Sequence, residues 1–264
     1  MGTNTKIEWC DATWNPITGC LHGCDYCYAR RMVNRFSGGN TKELDSENEE
    51  TLILDDFDFM PVVLDEPYRM ENGKINPYPY GFFPTYHRYR LNELQRWEEP
   101  KTIFVCSMAD LFGDWVPDMW IQEVFAVCDQ APQHRYLFLT KNPKRLRRMA
   151  KYMVLPKNNN FWWGSTIDRK DAKYYPGKAK NNIFISIEPL REQLKVELKG
   201  FNKAKWIIIG AETGNRKEKV VPKKKWIKEI CRAADYTGAS VFMKDSLLPI
   251  MGEENMRREL PWQE

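Results

Sequence analysis

Apolar residues in this chain gather in short unbroken runs, separated by stretches with helical spacing. Thr102-Ile-Phe-Val-Cys106, Arg135-Tyr-Leu-Phe-Leu139, Phe161-Trp-Trp-Gly164, Asn182-Ile-Phe-Ile-Ser-Ile187, Trp206-Ile-Ile-Ile209 and Ser240-Val-Phe-Met243 read as strands. Runs that do not alternate with polar residues fit parallel strands covered on both faces. Pro117–Asp129 places Met119, Trp120, Val124, Val127 and Cys128 at helical intervals, and Lys225–Ala234 does the same. Pro143 suits the first turn of a helix that presents Leu146 and Met149 inward. A first strand near Ala12–Ile17 and a helix from Tyr28 to Phe36, stopped by Ser-Gly-Gly, precede these units.

The region between the first helix and the repeats is different. Residues 37–58 are polar and acidic and read as an insertion. Met60–Leu64 reads as a lead-in strand, residues 72–90 as an ordered aromatic loop rich in Pro and Gly, and Leu91–Trp97 as a short helix. Seven strands in series, linked by helices, predict one α/β domain over residues 1–264. It is a partial or full (β/α) barrel of parallel strands, with a doubly wound sheet as the alternative. Chemistry in such barrels gathers at the C-terminal ends of the strands. Here those ends carry Asp110, Lys141, Asp168, Glu188, Glu212 and Lys244. Any one of them is readily a loop residue or helix cap; six on one rim point to a site.

Composition narrows the class. A chain of 264 residues that is 42% hydrophobic and 29% charged is typical of a soluble globular protein. No apolar run is long enough for a membrane span, and the N-terminus lacks the apolar core of a signal peptide, so a cytoplasmic location without membrane partners is expected. Seven cysteines there are expected to be reduced, which favours a metal or catalytic role over disulfides. The net charge is only +4, but it is unevenly spread. Residues 43–66 carry ten acidic groups and no basic one, residues 135–155 seven basic groups and no acid, and residues 216–228 seven basic groups and one acid. The basic segments are either a phosphate-binding face or solvated helix surfaces.

Cys20-Leu-His-Gly-Cys24-Asp-Tyr-Cys27 places three thiols within eight residues. Thiolate is a soft metal ligand, and three on one loop can hold three corners of a metal centre. A [4Fe–4S] cluster usually takes four cysteines, so three would leave one iron open. The competing readings are a zinc site completed by His22 or Cys10, a disulfide, or chance.

The spacing C-x3-C-x2-C with Tyr26 before the last cysteine resembles the signature of the radical S-adenosylmethionine (SAM) superfamily. That resemblance implies a (β/α) barrel of radical SAM type. It also implies a [4Fe–4S] cluster on Cys20, Cys24 and Cys27, reductive cleavage of SAM to a 5′-deoxyadenosyl radical, an electron donor as partner, and Tyr26 against the adenine. More narrowly, Trp14-Asn-Pro-Ile-Thr-Gly-Cys20, Ile103-Phe-Val-Cys-Ser-Met-Ala-Asp-Leu-Phe112, Leu139-Thr-Lys-Asn-Pro143, Ser186-Ile-Glu-Pro-Leu190 and Ile209-Gly-Ala-Glu-Thr-Gly214 are similar to a phage- and bacterium-associated radical SAM-like family of unassigned function. The shorter cysteine loop, the acidic insertion and the aromatic loop depart from it. A looser likeness is to the spore photoproduct lyase family, which shares Tyr-Ala-Arg after the cluster motif, an Asp at the second strand tip and Thr-Lys at the next. That likeness implies SAM contacts from Ser107, Asp110 and Lys141.

Cys106 lies beside one tip as a candidate hydrogen-atom donor, although its apolar run also suits a buried structural thiol. Glu188, Glu212, Asp168 and Lys244 are candidates to orient substrate or move protons. The basic segments and the aromatics Tyr78, Tyr80, Phe82 and Phe83 favour a nucleic acid or nucleotide as substrate. The alternative is a non-enzymatic zinc module that binds nucleic acid.

Overall fold

Pro16 divides the first predicted strand in two. In the computed structural model, which describes residues 5–36, 61–152, 155–178, 180–194 and 201–263, β1 (Ala12–Trp14) and β2 (Ile17–Thr18) belong to different sheets. Proline has no N–H to offer a ladder, and its fixed φ suits the point where the chain leaves one sheet for the other. The acidic insertion and Met60 lie outside the described residues. After α1 (Tyr28–Phe36), β3 (Val62–Leu64) and β4 (Thr85–His87) complete a small sheet with β2, in the order β2-β4-β3. The lead-in strand therefore stands apart from the barrel sheet. The last part of the predicted aromatic loop is also not loop. Thr85-Tyr-His pairs with Ile17 and Thr18, and a 3-10 helix, Arg88–Arg96, follows in place of the shorter helix expected at 91–97.

The remaining elements are β5 (Thr102–Val105), α2 (Asp118–Gln130), β6 (Arg135–Thr140), α3 (Pro143–Tyr152), β7 (Phe161–Thr166), β8 (Asn182–Ile187), β9 (Trp206–Ile209), α4 (Lys224–Thr237), β10 (Ser240–Met243) and the short α5 (Leu248–Met251). Seven strands form one all-parallel sheet in the order β1-β5-β6-β7-β8-β9-β10, curled into a half-barrel flanked by helices. The six strands expected from the apolar runs, with the strand before the cysteine loop, are thus neighbours in chain order. Helices do not separate all of them. Among the described residues, the links from β7 to β8 and from β8 to β9 contain no α-helix. Pro176 and Gly177 sit in the first of these links, and both oppose helix. The helix predicted at 225–234 runs to Thr237, where Gly238 takes a left-handed conformation and its N–H caps the carbonyls of Ala234 and Asp235.

Successive strand residues serve opposite faces. On one face Ile103, Val105, Tyr136, Phe138, Phe161, Trp163 and Ile183 pack with Trp120, Ile121, Val124 and Cys128 of α2 and with Leu146 and Met149 of α3. Ile185, Ile187, Ile207, Ile209, Val241 and Met243 continue that face against Ile227, Ile230 and Ala234 of α4. The residues between them, Phe104, Leu137, Trp162, Phe184, Trp206, Ile208 and Phe242, fill the inside of the half-barrel together with Trp9. The seam between the edge strands β1 and β10 is covered by residues 7–10. There Trp9 lies 4.9 Å from Phe104, and Glu8 accepts the Asp245 N–H at 2.6 Å. The chain end runs along the outer edge of β10, where the Glu259 N–H donates to Val241, and Trp262 packs 5.0 Å from Trp206.

Candidate active site

The three thiols of interest lie on the loop that leaves β2. Gly19 starts it at φ +85°, and a Cβ there would stand 2.2 Å from the Phe83 carbonyl oxygen, so only glycine fits. The Gly19 N–H donates to Met108 O beyond β5 at 2.9 Å, and the Cys20 N–H to Phe82 O at 3.3 Å. Arg30 reaches back to Cys20 O at 3.3 Å while its guanidinium sits over the Phe82 ring. The loop is therefore wedged between the β5 tip and the aromatic loop. Tyr78 and Phe82, expected as base-stacking platforms, pack instead against Ala29 and Val33 of α1 and Met108.

Burial pushes the Cys20 thiol up to about 12, with a further rise from Asp110. Burial also raises Cys24, against the opposing charge of Lys141. Cys20 and Cys24 each feel the thiols that follow them on the loop. Among the described residues no group of three His, Cys, Asp or Glu side chains, the three thiols of this loop included, is placed so that it could hold a metal ion. The donor set itself suits a soft centre: three thiols on one loop at the rim, with no fourth. His22 is taken up by Asp110, its Nε2 lying 2.7 Å from the carboxylate, and Cys10 packs with the cluster inside the half-barrel.

Asp110 is the strut of this loop. Besides His22, its carboxylate accepts the Thr140 hydroxyl at 3.0 Å, the Lys141 N–H at 2.8 Å and the Phe112 N–H at 3.0 Å. Burial alone would raise its pKa, but these donors and the adjacent imidazole outweigh it and hold the carboxyl below its ordinary value. One side chain so ties the thiol loop to the tips of β5 and β6. The Ser107 hydroxyl bonds Asn15, and its carbonyl accepts from Tyr28. Cys106 has φ +58°, rare outside glycine, and it packs in the helix-side core rather than on the rim. Burial raises its thiol to about 12.

Tyr26 joins the loop to the tips of β6 and β7. Its hydroxyl donates to Asp168, which also meets Lys141 Nζ at 3.2 Å. Burial opposes ionisation of Asp168, but the Lys141 charge and the Tyr26 bond prevail and keep it anionic. Burial and the same carboxylate raise the Tyr26 phenol. Lys141 and Arg191 lie 5.3 and 5.2 Å from the Tyr26 ring centroid.

Further round the rim, Arg191 grips Asp25 of the thiol loop with both terminal nitrogens at 2.9 and 3.0 Å. Arg216 binds Glu212 through two bonds, at 2.5 and 2.9 Å, and stands 3.3 Å from Asp25. The Arg216 bonds, against a smaller effect of burial, hold Glu212 below the usual carboxylate range. Glu188 and Lys244 form the last pair at 2.5 Å, directly over Gly210, where a Cβ would approach both at 3.1 Å.

The predicted tips Asp110, Lys141, Asp168, Glu188, Glu212 and Lys244 thus share one rim with Tyr26 and the cysteines, and Cys106 does not join them. Asp25, Arg191 and Arg216 were not foreseen. Arg191 stands three residues after the Glu188 tip, and that proximity was the available signal. The basic segment 135–155 is not one face. Arg145 is buried, bound to Asp118 and to the carbonyls of Gly113 and Val116, whereas Lys144, Arg147, Arg148 and Lys151 are exposed. No helix among the described residues is long and apolar enough to cross a membrane.

Residues 4–248 match the model of a family described as "Protein of unknown function (DUF5131)", and the chain belongs to that family. No curated protein and no solved structure matched.

Proposed function

We propose that the chain is a radical SAM enzyme that holds a [4Fe–4S] cluster on Cys20, Cys24 and Cys27. The observation that carries this reading is the position of the three-thiol loop. It lies on the same rim where the charged tips of a parallel half-barrel gather, and Asp110, Tyr26 and Asp25 tie it to those tips. When bound, the cluster and SAM supply a 5′-deoxyadenosyl radical, formed by one-electron cleavage of the sulfonium with methionine leaving and the electron coming from an external reductant, and the radical takes a hydrogen atom from substrate.

The protein's part is binding and positioning. Lys141 offers an ammonium to the SAM carboxylate, in exchange for part of its contact with Asp168. Tyr26 offers an aromatic face held between two cations. Ser107 and Asp110 set the backbone of the β5 tip against the thiol loop. Glu188 and Lys244 are a proton-bearing pair at the far side of the rim, suited to orient a polar substrate, and Glu212 with its arginines fixes the wall between.

Zinc is the competing metal. The fourth ligands it would need are engaged elsewhere, His22 with Asp110 and Cys10 inside the half-barrel. Anaerobic reconstitution with iron and sulfide, followed by a visible spectrum, iron counting and assay of 5′-deoxyadenosine under a chemical reductant, tests the proposal. A brown protein that loses its iron in Cys20→Ala, Cys24→Ala and Cys27→Ala, but not in Cys10→Ala or Cys128→Ala, is expected. A colourless protein with one zinc would overturn it. Lys141→Glu should weaken SAM binding by about 1.5–3 kcal/mol, the scale of a hydrogen bond to a charged group, as read by calorimetry.

A further inference from the structure

Beside the Tyr26–Asp168–Lys141 contact lies a cleft of about 580 Å³, between the β6 tip with the start of α3 and the loop after β7. Its size is that of a small-ligand site. Five cations line it, Lys141, Lys144, Arg147, Arg169 and Lys173, against two carboxylates, Asp168 and Asp171. Both carboxylates are already engaged: Asp168 with Tyr26 and Lys141, Asp171 with Arg169 at 3.3 Å. Lys144, Arg147 and Lys173 are exposed, and none makes an ion pair among the described residues. Asn142 and Pro143, at the start of the ten-residue α3, form part of the wall, so the positive end of the helix adds to the field. Exposed, unpaired cations on both walls of a cleft suit a chain of phosphates better than a neutral ligand.

We propose that this cleft binds the sugar–phosphate backbone of a single-stranded nucleic acid and delivers one of its nucleotides to the rim. The proposal rests on the rim being the active face, because Lys141 and Asp168 belong both to the cleft and to the contact with the thiol loop. A single strand is favoured over a duplex because a reacting base must reach the rim, and in a duplex it would first have to leave the stack. The second basic run, Lys223 to Lys225, lies outside the cleft, and Lys224 is spent on the Met251 carbonyl.

The test is equilibrium binding of labelled mixed-sequence oligonucleotides, single-stranded DNA and RNA and duplex DNA, to the full chain at about 50 and 200 mM salt. It is run on the wild type, on a Lys144→Glu, Arg147→Glu, Lys173→Glu triple variant, and on a Lys223→Glu, Lys225→Glu control. Single strands should bind the wild type most tightly. The triple variant should lose about tenfold or more at the lower salt, and its dependence on log salt should be shallower by about two, from three phosphate contacts at roughly 0.7 each. The control should bind like the wild type. No binding by the wild type, an unchanged slope in the triple variant, loss in the control instead, or equal affinity for a mononucleotide or polyglutamate would each overturn the proposal. The cleft cations are not cluster ligands, so iron content measured on the same samples separates failure of this proposal from failure of the radical SAM reading. A melting curve for each variant excludes unfolding as the cause, and the alanine triple variant replaces the glutamate one if that unfolds.

Discussion

The two ends of the half-barrel are built from one register of the same strands and do opposite things. In the lower part Phe104, Leu137, Trp162, Phe184, Trp206 and Phe242 fill the inside with large apolar side chains, sealed by Trp9 and Trp262. Two to six residues further along the same chain segments stand the rim groups. Leu137 leads to Leu139 and Lys141, Trp162 to Gly164, Thr166 and Asp168, Phe184 to Ser186 and Glu188, Ile208 to Gly210 and Glu212, and Phe242 to Lys244. Parallel strands all end on the same side, so a shift from apolar to charged along each one stacks a sealed floor beneath a polar rim. The exception is instructive. Cys106 follows Phe104 by two residues, but its left-handed backbone breaks the alternation and turns it into the helix-side core. The difference between the ends separates stability from the proposed chemistry. The floor holds the fold, whereas the rim groups, from the buried Asp110 and Glu212 to the partly exposed Lys141, Glu188 and Lys244, are engaged in ion pairs and hydrogen bonds.

The sharpest way to break this comparison is at the floor. Trp206 is fully buried, and Trp206→Ala should cost about 3–5 kcal/mol of unfolding free energy, measured by urea denaturation. A loss no larger than that of an exposed substitution would mean that the floor does not carry the fold.

Asp110 is the rim residue that should behave like the floor. It is 5% exposed and accepts hydrogen bonds from four groups, so Asp110→Ala leaves buried donors without an acceptor. The expected cost is about 3 kcal/mol, the upper end of the scale for leaving a buried donor without an acceptor, and iron reconstituted at the proposed cluster site should be retained less well. Wild-type stability in this variant would reassign Asp110 to the ligand-facing set.

Acid should find the support beneath the rim next. Burial, with Arg90 adding to it, pushes His87 down to about 2, and its Nε2 lies 2.8 Å from the Thr18 hydroxyl. The folded protein keeps this imidazole neutral, while the unfolded chain takes up a proton below about 6.5. This contribution is therefore whole above that pH and declines as pH falls, by up to about 1.4 kcal/mol per pH unit. Urea midpoints across this range should show a shallower decline in His87→Gln than in the wild type, and parallel declines would remove His87 as the cause.

The smallest effect on stability belongs to the far side of the rim. Glu188 and Lys244 are partly exposed, and Glu188→Gln should change unfolding free energy by less than about 1 kcal/mol. Under the proposed radical SAM reading, turnover of substrate in the same variant should fall much further than stability. A stable and fully active variant would place Glu188 outside the chemistry.

What the sequence determined by itself was whatever local pattern can encode. The unbroken apolar runs marked six of the seven parallel strands, their polar ends marked the rim residues, and the spacing of Cys20, Cys24 and Cys27 marked the loop. These are short-range properties, set by strand period, proline and glycine positions, and burial on both faces. Tertiary structure alone decided which tips meet. Tyr26 finds Asp168 across 142 residues, Arg191 finds Asp25 across 166, and Arg145 turns inward to Asp118 while its neighbours Lys144 and Arg147 stay outside. It also moved β2 out of the barrel sheet and turned Cys106 away from the rim. The physical reason is that charged side chains carry no periodic signal of their partners. Each pair is weak beside the burial that closes the sheet, so the packing of the apolar runs sets the geometry and the rim groups pair with whatever that packing brings within reach.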